Sequence, residues 1–224
     1  HDAVMLQDAV TGIANVTEID DPYTLTVTFQ LTEIQRVAAL VLSGTPGGDG
    51  GALKLDVDAN GMQDIGQNKN LGSVVIVAEL ADEFRPGFLF STIDYSTGIL
   101  LLTFNETIDA TPVSLVNLSL VTLNNVGGPA SLNVPLNGTM PNFGRWVDAN
   151  ENQYATSYAA VTAVESTVVK ITLSEPQRVA ALEISGKPGG DDGDAVSITI
   201  REASFVDMAG NVIGNFFTSE NLVE

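Results

Sequence analysis

Residues 32–57 read TEIQRVAALVLSGTPGGDGGALKLDV, and residues 174–200 read SEPQRVAALEISGKPGGDDGDAVSITI. The hexapeptide QRVAAL stands at 35–40 and again at 177–182, and in both places a Gly-rich acidic loop follows it. A match of this length does not arise by chance, so the two stretches share an origin and a fold. The chain therefore contains an internal repeat.

A weaker third copy lies between these two stretches. In each copy, a strand with alternating apolar residues ends two positions before a glutamate, which is Glu33, Glu106 or Glu175. A Gly-rich loop, another alternating strand and a closing Asp-x-x-x-Asn motif follow further on. The segment just after each glutamate also alternates and is predicted as a strand: Val37–Leu42, Val116–Leu120 and Val179–Ile184. Period-2 alternation favours strands throughout, and no stretch predicts a sustained helix.

The repeats predict an all-β chain built from small sandwiches. A unit of about 70 residues with short alternating strands and Gly/Asp/Asn turns is typical of that architecture. We expect three domains, at 1–70, 71–154 and 155–224. The outer copies resemble each other more than either resembles the middle one, so the order is A-B-A.

The charge of the chain excludes several classes of function. It has 28 acidic and 9 basic residues, a net charge of -19 and a pI near 4.1. Such a chain repels phosphate backbones and anionic lipid surfaces, so we expect no nucleic-acid partner. No apolar run approaches the length of a membrane span, so we expect no membrane insertion. Dissolved cations are attracted instead, above all Ca²⁺.

The chain has no cysteine and only one histidine. Cysteine is absent, which excludes disulfides, thiolate metal sites and a cysteine nucleophile. The single histidine is His1, so His-centred metal sites and a Ser-His-Asp triad are not expected. His1 is expected to mark where a mature or excised chain begins.

The recurring carboxylates have a structural and a functional interpretation. Glu33, Glu106 and Glu175 point toward the end of the core, where a carboxylate needs either hydrogen-bond donors or a cation. The structural interpretation is the one we favour over a metal site. The aspartates of the closing motifs are expected to cap turns through Asx-type bonds. They are Asp64, Asp148 and Asp207.

The Gly-rich loops at 46–51 and 188–194 are candidate calcium sites. Glycines let carbonyls turn inward, and aspartates supply the hard oxygen ligands that Ca²⁺ prefers. The candidate ligands are Asp49, Asp191, Asp192 and Asp194. Their spacing matches neither an EF-hand nor a nonapeptide calcium repeat, and a solvated acidic hairpin explains them equally well. Asp20, Asp21, Asp56 and Asp58 are weaker alternatives.

The sequence contains four Asn-x-Ser/Thr sequons, at Asn15, Asn105, Asn117 and Asn137. Three of them fall in the middle copy, and the alternation around Asn117 predicts that it faces solvent. If the source is eukaryotic, N-linked glycans are expected on the middle domain.

The stretch Val212–Phe217 follows the last closing motif and is apolar. By analogy with the first copy, we expect it to resemble the opening strand of a further domain. Either the parent chain continues, or this strand completes a neighbouring subunit and gives head-to-tail polymers. The predicted assembly residues are Val212, Ile213, Phe216 and Phe217.

The motifs resemble those of bacterial-type immunoglobulin-like repeats from S-layer, adhesin and other large cell-surface proteins. The resemblance rests on Ile171-Thr-Leu-Ser-Glu-Pro176, on Phe205-Val-Asp-Met-Ala-Gly-Asn211, and on Leu102-Thr-Phe-Asn-Glu-Thr107 in the middle copy. The first copy departs from the pattern in both halves. The resemblance implies a tandem of immunoglobulin-like β-sandwiches that works outside the cell as a spacer, an adhesive or a polymer subunit; fold alone does not establish that role.

Three functional hypotheses follow. The first is a non-enzymatic extracellular or cell-surface structural protein whose partners are copies of itself or adjacent repeats. The second is a polysaccharide-binding module of a secreted hydrolase, with Trp146, Tyr154 and Tyr158 as the candidate stacking residues. The third is an enzyme, which we rank last because the prominent acids recur in every copy, whereas a catalytic pair would normally belong to one site.

Overall fold

The computed structural model describes residues 4–6, 26–128, 130–140, 157–190, 196–214, 217–219 and 222–223. Most regular structure in these ranges is β-strand in several antiparallel sheets, with few helices, in agreement with the all-β prediction. The strands are β1 (Val4–Leu6), β2 (Lys54–Val57), β3 (Ser73–Ile76), β4 (Phe88–Asp94), β5 (Ile99–Ile108), β6 (Val121–Asn124), β7 (Val134–Pro135), β8 (Asn137–Gly138), β9 (Ser157–Tyr158), β10 (Ala160–Val161), β11 (Ser166–Thr172), β12 (Ser197–Ile200), β13 (Phe217–Ser219) and β14 (Leu222–Val223). The α-helices of the described ranges are α1 (Glu33–Val41) and α2 (Glu175–Glu183).

The chain divides into two compact units. The first consists of residues 1–83 with 208–210, and the second of 84–207 with 211–224. The first unit contains α1 and a sheet in the order β1-β2-β3. The second contains α2, a five-stranded sheet in the order β10-β11-β5-β4-β14, and a four-stranded sheet in the order β13-β12-β6-β7. Strand β14 runs parallel to β4, and the other pairings in these sheets are antiparallel.

The two large sheets of the second unit enclose one hydrophobic core. Leu100 and Leu102 of β5 and Ile198 and Ile200 of β12 are fully buried in the same cluster. Strands from the predicted middle and third domains neighbour each other in both sheets, because β5 pairs with β11 and β6 pairs with β12. The arrangement of three tandem sandwiches is therefore not confirmed, and the predicted boundary at 154/155 lies outside the described residues.

The strand predictions for Val37–Leu42 and Val179–Ile184 are wrong, because both segments are largely helical. Each helix begins with a capping box, in which the hydroxyl of Thr32 or Ser174 accepts a hydrogen bond from the backbone N–H three residues later. The side chain of the glutamine at that later position, in turn, accepts from the N-cap backbone. A short apolar run such as VAAL is compatible with both the strand period of 2 and the helix period of 3.6. The capping box before it favours the helix.

The strand prediction for Val116–Leu120 is also wrong, because Leu118–Leu120 forms a 3₁₀ turn and a second one ends at Leu115. The Asn117 side chain accepts a hydrogen bond from the Ser119 backbone N–H at 3.2 Å, which gives the backbone an alternative to strand pairing. Val116 and Leu118 are buried and Asn117 is exposed, so the alternation in burial survives without a strand.

The two helices are followed by loops of the same construction. Gly48 and Gly190 lie so close to the end of the preceding helix that a Cβ at either would collide with backbone carbonyl oxygens, at 2.6 Å from Leu40 and 2.8 Å from Leu182. The glycine before each has a positive φ, 92° at Gly47 and 102° at Gly189. The Pro-Gly-Gly sequence therefore lets the loop fold back over the helix end.

The strands after these loops also occupy corresponding places in their sheets. Strand β2 lies between β1 and β3, with Val57 opposite Val4 on one side and Ser73 on the other. Strand β12 lies between β6 and β13, and its equivalent residue Ile200 is opposite Val121 and Phe217. The sheet β1-β2-β3 is therefore the counterpart of β6-β12-β13, so the repeat extends beyond the helix and loop.

Candidate functional site

Two of the three recurring glutamates are paired with an arginine. Glu33 and Glu175 stand at the first position of their helices and accept two hydrogen bonds each from the arginine three residues later. The distances from Arg178 Nε and Nη2 to the two Glu175 oxygens are 2.8 and 2.6 Å. The guanidinium lowers the pKa of Glu175, and the carboxylate raises the pKa of Arg178. Both carboxylates therefore form ion pairs in the first turn of a helix. This agrees with the structural interpretation of the recurring glutamates.

Glu106 differs from these two because it lies on β5 and is 8% exposed. The residue three positions after it is Asp109, where the other copies have arginine. Its neighbour within the second unit is Asp207, which is 1% exposed, and a carboxylate oxygen of one lies within 4.8 Å of a carboxylate oxygen of the other. An antiparallel bridge between Ile108 and Asp207 brings the two together.

This carboxylate pair supplies hard oxygen ligands but is incomplete as a calcium site. Both oxygens of Asp207 already accept hydrogen bonds, from Asn211 N at 2.7 Å and Asn211 Nδ2 at 2.9 Å. Ca²⁺ takes six to eight oxygen ligands, more than the two residues provide. The pairing joins two different predicted copies, and for that reason the sequence spacing did not reveal it.

The closing motifs are Asx-type turns, as expected. In the first unit, Asp64 accepts hydrogen bonds from Asn68 N at 2.8 Å and from Asn68 Nδ2 at 2.9 Å. Asp207 and Asn211 repeat these bonds in the second unit. The hydrogen bonds from Asn68 lower the pKa of Asp64. The third motif, with Asp148, lies outside the described residues.

The candidate calcium loops are described only in part. Asp49 is exposed, and its side chain accepts a hydrogen bond from the Gly51 backbone N–H at 2.7 Å. Asp191, Asp192 and Asp194 lie outside the described residues, as do Asp20 and Asp21. In the described part of the loops, Gly48 and Gly190 pack closely on the helix ends.

Three of the four predicted glycosylation sites are described, and all three asparagines are exposed: Asn105, Asn117 and Asn137. Asn105 uses its side-chain oxygen to accept a hydrogen bond from Gly87 N at 2.7 Å. Asn15 lies outside the described residues. Of the candidate stacking residues, Tyr158 is 65% exposed, while Trp146 and Tyr154 are not in the described ranges.

The predicted assembly segment is part of the chain's own second unit. Ile213 is fully buried in the core cluster, and Val212 forms a bridge with Val206. Phe217 begins β13, which pairs with β12 of the same chain. Phe216 lies outside the described residues. In this structure the described part of the segment therefore packs within its own unit and does not form a free strand.

The first unit contains a cleft of about 370 Å³ beside α1, which we call the N-terminal cleft. Its wall is mainly apolar, and Arg36, Glu79 and Asp82 add charge. Arg36 Nη1 donates to Asp82 Oδ2 at 2.7 Å, and Glu79 accepts from Leu53 N at 3.0 Å. Other residues that line it are Leu31, Ala39, Leu53, Val77, Ala78 and Leu80. The sequence did not single out this cleft.

No protein-family model, curated protein or solved structure matches this chain. Within the described residues, neither helix is long and apolar enough to cross a membrane.

Proposed function

We propose that this chain is a non-enzymatic structural protein of the cell exterior, a repeat segment of a surface filament, sheath or adhesin. The observation that carries the proposal is that the recurring acidic residues accept the same local hydrogen bonds in both units. Glu33 and Glu175 are bound by arginines, and Asp64 and Asp207 by asparagines, in matching geometry. A residue that repeats with the same local hydrogen bond is a building element, whereas a catalytic group belongs to one site.

The resemblance to immunoglobulin-like surface repeats belongs to the same proposal. Two units with a common helix, loop and strand order support a tandem of sandwiches. Because the chain divides into two compact units, we propose two repeats rather than three. Copies of itself or adjacent repeats are the proposed partners, and the excess of acidic residues favours a role for Ca²⁺ in stiffening the assembly.

Electron microscopy of the purified chain with millimolar Ca²⁺ tests this proposal. We expect filaments or end-to-end arrays, and their loss after EGTA is added. Monomers in both conditions would contradict self-assembly. Intact-mass measurement of the protein from its native source tests the glycans, because a mass equal to that of the bare chain excludes them.

A polysaccharide-binding module is the second candidate, because Tyr158 is 65% exposed and an exposed aromatic ring can stack on a sugar. A glycan array separates the two proposals. Binding that is lost on Tyr158→Ala would favour the module, and a blank array together with filaments would favour the structural role.

A further inference from the structure

Strand β3 lies at one edge of the sheet β1-β2-β3 in the first unit. Its residues Val74, Val75 and Ile76 are 61, 49 and 70% exposed. Among the described residues, no strand pairs with the side of β3 that faces away from β2. An exposed apolar edge strand is a template for pairing with a strand of another chain.

The pairing with β2 determines which backbone groups of β3 face outward. Val77 N donates to Leu53 O at 2.9 Å, in the same antiparallel register as the rest of the strand pair. Hydrogen-bonded and non-hydrogen-bonded pairs alternate along an antiparallel ladder, so the backbone groups of Val77 and of Val75 point to β2. The N–H and C=O groups of Val74 and Ile76 therefore point away from β2, which gives the outer edge two donors and two acceptors.

The sheet edges of the second unit differ from this one. Its edge strands β7, β10, β13 and β14 have two or three residues each, and β7 includes Pro135, which has no backbone N–H to donate. Short strands and proline are common ways in which proteins protect an edge. Strand β3 has four residues, and residues 70–78 include no proline and no charged side chain. This edge therefore lacks the features that prevent pairing with another strand.

The charges on either side of β3 favour a second copy of the chain in antiparallel orientation. Lys69 precedes the strand, is exposed and forms no ion pair among the described residues. Three acidic residues follow the strand: Glu79, Asp82 and Glu83. An antiparallel pair of β3 strands places Lys69 of each copy on the side of the acidic residues of the other, whereas a parallel pair places acidic residues together. The edge is therefore complementary to itself in the antiparallel orientation.

We propose that β3 is a contact surface for a second copy of this chain, which adds its own β3 antiparallel across a two-fold axis at Val75. In this register Val74 lies opposite Ile76 of the second copy, and the outward donors and acceptors of both edges are used. The Val74 and Ile76 side chains of the two copies form cross-strand pairs of β-branched residues, which stabilise an antiparallel sheet. Because both copies use the same patch, the contact closes a pair and does not extend into a chain.

Analytical ultracentrifugation of the full chain over a range of concentrations tests the contact. We expect a reversible dimer in the presence of EGTA, because no cation takes part in the contact. Ile76→Lys places a charge in the paired edge and should raise the dissociation constant about tenfold or more. The matched control is Ile65→Lys, at a 79% exposed residue in the turn closed by Asp64 and Asn68, and it should leave the dimer unchanged. Circular dichroism checks that both variants are folded.

Disulfide cross-linking tests the two-fold register. The chain has no cysteine, so Val75→Cys introduces one thiol per copy. Directly opposite residues in a non-hydrogen-bonded pair have Cα atoms about 4.5 Å apart, which lies within the range of a disulfide. We expect a covalent dimer of Val75→Cys after mild oxidation with diamide. The control is Ser73→Cys, which should not cross-link, because in this register the two positions 73 are about 13 Å apart along the strands.

Three results would overturn the inference: monomers at every concentration, equal dimerisation of Ile76→Lys and Ile65→Lys, or equal cross-linking of the two cysteine variants. The inference rests on the proposed structural function and names one surface through which copies of the chain meet, but the two fail separately. Filaments that form equally well with Ile76→Lys would refute the β3 contact alone. Dimers in EGTA without filaments in Ca²⁺ would refute only the filament.

Discussion

Helices α1 and α2 begin with the same capping box, but the glutamines that complete it lie in different surroundings. Gln177 is fully buried, and its Nε2 donates to Pro135 O at 2.9 Å and to Leu136 O at 2.8 Å. Gln35 is half-buried. The comparison teaches that a short sequence can determine its own helix and loop in either unit. Whether a closed core forms around them depends on strands from elsewhere in the chain.

The largest expected difference between the units concerns the side chain two positions before each closing Asp-x-x-x-Asn motif. Phe205→Ala removes a fully buried ring that packs on Phe104, and we expect it to lower the free energy of unfolding by about 3–5 kcal/mol. The matched variant Met62→Ala acts on a half-buried side chain and should cost about 1 kcal/mol or less. Urea unfolding followed by circular dichroism measures both, and equal losses would mean that the two side chains contribute equally to the folded state.

A smaller difference is expected at the capping glutamines. Gln177→Ala leaves two buried carbonyls without their donor and also breaks the capping box, so we expect a loss of about 2–4 kcal/mol. Gln35→Ala should cost about 1 kcal/mol, which is typical of a lost cap. The same unfolding experiment applies. A cost at Gln35 as large as that at Gln177 would show that α1 is clamped as firmly as α2.

The smallest effect concerns the β4–β5 turn, which only the second unit has among the described residues. Hydrogen bonds from Ser96 and Thr97 lower the pKa of Asp94 from 3.8 to about 2. A lowered pKa in the folded state means that this stabilisation is present above about pH 4 and is lost as the pH falls toward 2. Asp94→Asn should flatten the dependence of stability on pH in that window, as measured by thermal midpoints. An unchanged slope would show that the turn does not depend on the ionised carboxylate.

The sequence predicted the strands and turns of the repeat well where alternation was unambiguous. Strands β2, β5, β11 and β12 lie close to their predicted positions, and the Asp64 and Asp207 motifs form the expected turns. It failed at QRVAAL, where four apolar residues fit either period and the capping box carried the signal. The alternation also predicted a strand over residues 27–31, whereas the structure has only an isolated bridge at Phe29.

The candidate site was harder to predict because it depends on pairing between distant segments. The neighbour of Glu106 is Asp207, about a hundred residues away, and only the strand bridge at Ile108 brings it there. The N-terminal cleft is lined by residues of α1, by Leu53 before β2 and by the segment after β3, and no motif in the sequence groups these segments. The arginines at 36 and 178 were visible in both copies, but their different partners were not.

Native-state hydrogen exchange on the full chain compares the two units most directly. The account predicts that the amides of Lys54–Val57 exchange at least about tenfold faster than those of Ser197–Ile200, because all four residues of β12 are buried and none of β2 is fully buried. Equal protection of the two strands would contradict the claim that the core around β2 is less closed than the core around β12.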